Sequence, residues 1–85
     1  MEKIKFAIEI AKFLVYLYSV IKALVLEIES LIPESGKGAE KFNIVKNAII
    51  NGGRIAGFTE EITDAAEQII DRTIDQTVAL EINGD

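Results

Sequence analysis

Cysteine and histidine are both absent from this sequence of 85 residues. Without a thiol there is no disulfide, no thiolate nucleophile and no thiolate metal site. Without an imidazole the commonest metal ligand is gone, and with it the usual general base near neutral pH. Serine and threonine hydroxyls remain, but with no base to activate them a hydrolytic triad is not assembled. Basic residues are the minority: nine Lys and Arg stand against fourteen Asp and Glu, for a formal net charge of −5. That balance repels nucleic acid and anionic lipid at long range, so no nucleic acid is expected as a partner. The opening MEKIKFAIEI lacks a secretory pattern, its apolar stretch being interrupted by charge, and the chain is expected to be cytoplasmic.

Glycine and proline are missing from residues 3–32, where one dense apolar series runs from Ile4 to Leu31. A stretch of that length predicts a helix, because strands rarely exceed ten residues. Seven of its polar positions, Glu2, Lys5, Glu9, Lys12, Ser19, Lys22 and Glu29, fall on one narrow stripe with a period near 3.5. A turn is expected over 33–39, where Pro33, Gly36 and Gly38 cluster. A second helix is expected over about 40–51, stopping at the breaker Asn51-Gly52-Gly53, with a connector over 52–58. A third, over about 59–82, opens on Thr59 as N-cap with Glu60 and Glu61 at the positive end of the helix dipole, and ends at Asn83-Gly84. Its inner stripe includes Ile62, Ala66, Ile69, Ile70, Ile74 and Val78.

These lengths leave a coverage problem. The first helix would be about 45 Å long, against about 18 and 35 Å for the others. Four or five large aliphatic side chains left in water would each forgo about 1.5–3 kcal/mol. A second copy of the chain is the expected cover, since two-fold self-association is the commonest oligomer and the period suits helix pairing. The membrane is the alternative. A span from Phe6 to Leu26 would have to bury Glu9, Lys12 and Lys22, and the longest charge-free run, FLVYLYSVI, is less than half of the roughly 20 residues needed.

Sharper chemical readings weaken on inspection. PESGKGAE holds a Gly-Lys pair, but a phosphate loop needs an earlier glycine, a hydroxyl after the lysine and a strand before it. Asp64, Glu67, Asp71 and Asp75 share one helical face and could offer oxygens to a divalent cation, yet such a face is ordinary on a solvated helix. Paired carboxylates for glycoside hydrolysis would need a cleft that so short a helical chain has little room for. No cofactor, metal or catalytic residue is expected.

Two segments, EIESLIPESGKGAEKFNIVKNAI and DAAEQIIDRTIDQTVALEIN, resemble small phage proteins of the holin-like type. The residues carrying the likeness are Glu29, Leu31, Gly36, Lys37, Gly38, Ala39, Glu40, Lys41 and Val45 in the first. In the second they are Ile70, Asp71, Ile74, Asp75, Val78, Ala79 and Asn83. The resemblance spans about two-thirds of the chain and implies phage or prophage origin and an all-helical, non-catalytic protein. Members of that family carry an uninterrupted hydrophobic span at the N-terminus; this chain departs from it at Glu9, Lys12 and Lys22.

The expectation is therefore an all-α, three-helix chain forming an intertwined homodimer or higher assembly. Its association interface is expected at Phe13, Leu14, Leu17, Val20, Ile21, Leu24, Val25 and Ile28. The expected role is non-enzymatic and exercised through protein–protein association. The alternatives are a holin-like membrane protein of a lysis module and an inhibitor that binds a bacterial host protein.

Overall fold

A computed structural model describes residues 2–32 and 36–82. The expected break at Pro33 and stop at Asn83-Gly84 lie outside the described residues. Among those described, the chain forms four helices and no strand: α1 Glu2–Leu31, α2 Gly38–Ile55, α3 Glu60–Ala65 and α4 Glu67–Glu81. Helix α1 is the spine, and the long dimension of the 47 × 24 × 18 Å molecule matches its length. Helix α2 returns along it, placing Lys41 beside Glu29 and Gly53 beside Phe13. The α3–α4 limb then runs back up the spine until Glu81 reaches Lys22.

Each limb contributes a row of side chains at four-residue steps. From α1 come Phe13, Leu17, Ile21 and Val25; from α2, Val45 and Ile49; from the α3–α4 limb, Ile62, Ala66, Ile70 and Ile74, all of them buried. Rows spaced by four are the ridges that interdigitate when helices pack. Two polar groups buried among them are satisfied locally: Thr63 and Thr73 donate to the carbonyls of Glu60 and Ile69 at 3.0 and 2.6 Å.

The expected three-helix division changes in two places. First, Asn51-Gly52-Gly53 is not a stop: α2 begins at Gly38 and runs through the glycine pair to Ile55. The pair forms a notch in which α1 sits. A methyl group at Gly53 would lie 3.2 Å from the Phe13 ring, and one at Gly52 would collide with the Tyr16 hydroxyl. Packing thus overrides a local penalty of about 1 kcal/mol for each glycine in a helix interior. The end of α2 is set instead by Gly57, whose φ of 104° suits a residue without a Cβ. There Phe58 donates to Gly53 and Gly57 to Arg54, at 2.9 and 3.0 Å, the paired bonds of a Schellman closure.

Second, the single helix expected over 59–82 is bent at Ala66 into α3 and α4. Hydrogen bonds pass through the bend, from Ala66 to Ile62 and from Ile70 to Ala66, and the four-residue row keeps its register. No glycine or proline stands there, and the fully buried Ala66 belongs to the core. Thr59 caps α3 as expected, its hydroxyl accepting from the Ile62 amide at 3.3 Å.

Three aromatic rings lock the α2–α3 connection onto the spine. Phe13 and Phe58 meet edge-on with centroids 5.2 Å apart, and Tyr16 lies 5.5 and 5.8 Å from them. The Tyr16 hydroxyl donates to the Ile49 carbonyl at 2.8 Å. Burial of this phenol pushes its pKa up from 10.0.

The notch predicts a sign reversal. Gly52→Ala in the native background should lower stability, because the new methyl displaces the Tyr16 hydroxyl from its acceptor at a cost of about 0.5–1.5 kcal/mol or more. In a Tyr16→Phe background the same substitution should be neutral or stabilising by up to about 1 kcal/mol, as helix propensity then acts unopposed. Thermal unfolding of the four proteins in this cycle checks it; equal effects in both backgrounds would exclude the collision.

Candidate functional site

The eight side chains expected to meet a second copy divide in two. Phe13, Leu17, Ile21 and Val25 are 0–4% exposed within the single chain, so they hold the fold and are not free for a partner. Leu14, Val20, Leu24 and Ile28 pack half-buried at their flanks. The physical reason is reach: the limb runs beside the spine from Phe58 at Phe13 to Glu81 at Lys22, which covers this row within the chain. The surface left for association is a different sector of α1.

That sector is an outward stripe of Ile4, Ile8, Ala11, Val15 and Tyr18. Four of these are large and well exposed: Ile4 at 65%, Ile8 at 50%, Val15 at 71% and Tyr18 at 62%. Their steps of four, three, four and three are the heptad alternation of a helix-pairing seam. No charge interrupts the stripe over about 21 Å. The next position is Lys22, held by Glu81 at 3.7 Å, where α4 closes over the spine. Beside the stripe, Lys12 pairs with Glu9 at 3.3 Å. The apolar stripe therefore lies next to the polar one read from the sequence, one residue earlier at each step. Among the described residues no helix is long and apolar enough to cross a membrane.

Ionic contacts tie the limbs together away from this stripe. The Lys41 ammonium donates to both carboxylate oxygens of Glu29 at 3.0 Å, joining α2 to α1. Lys46 reaches from α2 to Glu67 and Asp71 on α4, at 2.8 and 3.0 Å. Two of the four carboxylates that share the outer face of the limb are thus engaged by a lysine the sequence did not single out. Among the described residues no group of three or more carboxylates converges as a metal site would require.

The Gly-Lys of PESGKGAE sits between two helices, with Gly36 at φ 87° and α2 beginning at Gly38. The two segments that carried the phage resemblance meet at this end. Glu29, Gly38 and Lys41 from one, with Ile74, Asp75 and Val78 from the other, border a cleft of about 550 Å³.

Comparison with protein-family models, with curated proteins and with solved structures finds no match. Among the described residues the chain is an all-α bundle with an exposed apolar stripe on α1 and a cleft between α1, α2 and α4.

Lys46 supplies a pH prediction. Its hydrogen bond to the Glu67 carboxylate, and then its pairing with Asp71, raise its pKa above the ordinary 10.5 in the folded chain. Its stabilisation is therefore complete below that ordinary value and is lost as pH rises through the higher folded one. Lys46→Met should be less stable than the native chain by about 1 kcal/mol or less at pH 8. The two should converge as pH rises through that raised value and the ammonium titrates. Paired thermal melts across that range check this; a gap independent of pH would assign the loss to packing.

Proposed function

We propose that this is a non-enzymatic helical protein of phage or prophage lineage that acts by association, its partner being a second copy joined through the outward stripe of α1. The observation that carries the reading is the exposure of Ile4, Ile8, Val15 and Tyr18 at heptad steps along α1. The lineage is supported by the two resembling segments alone.

A second copy suits the stripe chemically. The seam is uncharged from Ile4 to Tyr18, and Ala11 at its middle lets two helix backbones approach closely. Two-fold pairing brings the same stripe against itself, so its shape requirements are met by one sequence. Burial of four large side chains on each copy contributes about 1–2 kcal/mol apiece for the exposed half of each. Lost translational and rotational freedom opposes this by about 4–15 kcal/mol. The dimer is accordingly concentration-dependent, as an assembling component would be.

Sedimentation equilibrium in detergent-free buffer tests the reading. The native chain should show a reversible monomer–dimer equilibrium, and Val15→Glu or Ile8→Glu should give a monomer with unchanged helicity, since neither side chain is in the core. Leu17→Glu should instead unfold the chain. A native chain that stays monomeric at high concentration would remove the proposal, and one that stays dispersed only in detergent would favour the membrane alternative.

A further inference from the structure

The three rows of core side chains do not meet along their whole length. Val25, Val45 and Ile74 are buried, but the residues that continue their rows towards the α1–α2 turn are half-buried: Ile28, Phe42 and Val78. Here the limbs splay, and the cleft of about 550 Å³ opens between α1, α2 and α4. Its floor is aliphatic, Phe42 supplies one aromatic wall, and Glu29, Lys41 and Asp75 stand among the lining residues. Neither the core nor the outward stripe of α1 uses this space.

Size and charge together select an occupant. Clefts of about 300–1,000 Å³ take small molecules, whereas a helix about 10 Å across would fill this one with little more than a single turn. Among the described residues the lining holds two carboxylates and one ammonium, a net formal charge of −1, which disfavours an anion. Lys41 is only 16% exposed, and two of its three N–H donors go to Glu29. One donor remains. Asp75 is exposed, so water screens its charge and a cation gains little from it, whereas an uncharged acceptor can take the Lys41 N–H that has no acceptor among the described residues without displacing Glu29.

We propose that this cleft binds an uncharged, mainly aliphatic small molecule carrying one hydrogen-bond acceptor, such as an alcohol, ester or ketone. Its chain lies on the half-buried Ile28, Phe42 and Val78, and its oxygen accepts from Lys41. The site is separate from the α1 stripe and does not depend on the association proposed above.

The test uses the full chain with N-phenyl-1-naphthylamine, a neutral apolar fluorophore, as probe. Saturable binding with one site per chain is expected, with amide shifts in NMR spectra confined to Gly38, Lys41, Val45 and Val78 and their neighbours. 1-Octanol should displace the probe, and octanoate and octylammonium should each do so about tenfold less well, a difference of about 1.4 kcal/mol. Val78→Trp fills the cleft and should weaken probe binding by at least about tenfold. Because Val78 is half-buried, Ala79→Trp on the exposed rim serves as a second filling variant that leaves the core untouched. Val15→Glu, remote on the outward stripe, should bind the probe as the native chain does. Absence of saturable binding, shifts centred on the α1 stripe, or undiminished binding in both folded filling variants would overturn the site. Equal displacement by the charged analogues would overturn the assigned ligand class.

Discussion

How much of α1's circumference fifty-odd residues can cover is the constraint on which this molecule turns. A helix of thirty residues, apolar on most sides, cannot be wrapped by two antiparallel limbs. The limbs seal one sector, from Phe13 to Val25, and leave another bare from Ile4 to Tyr18. Both sectors are built from the same kinds of residue. What separates them is the path of α2 and of the α3–α4 limb, and that path is decided where α1 and α2 touch.

That contact is a set of rings against a glycine pair. Phe13 and Tyr16 occupy the notch at Gly52-Gly53, Phe58 closes over them, and Tyr16 is anchored on Ile49. With the helix backbones so close, the four-residue rows of both engage over the rest of their length. At the far end the ion pair Glu29–Lys41 holds the limbs together, yet the rows diverge there and a cleft remains. One end of the bundle is thus closed by aromatic packing and the other is held open beside a charge pair. Among the described residues the fold leaves a flat apolar seam on α1 and a concave cleft between α1, α2 and α4, surfaces of different shape.

Much of the local structure was legible along the chain. The uninterrupted run from Lys3 to Leu31 announces α1, Thr59 announces the start of α3, and the stripe from Ile62 to Ile74 announces the packing face of the last limb. Which face of α1 the other helices cover was less legible. Phe13, Leu17, Ile21 and Val25 are as apolar as Ile4, Ile8, Val15 and Tyr18, so hydropathy cannot divide them. The heptad spacing of the second set was present in the sequence, but beside a polar stripe it reads as the edge of the solvent side. Lys46 was likewise unreadable, since its partners lie twenty-one and twenty-five positions away.

By itself the sequence determined that this chain is all-α over its described length, that it has too much apolar surface for its size, and that it lacks thiol and imidazole chemistry. Those properties follow from side-chain type and short-range spacing, which act within a few turns of backbone. Tertiary structure alone decided that Gly52-Gly53 is a contact and not a break, that the last limb bends at Ala66, and which apolar face of α1 stays in water. Each of these depends on what lies opposite a residue in space. A glycine ends a helix when nothing approaches it and continues one when a ring needs the room.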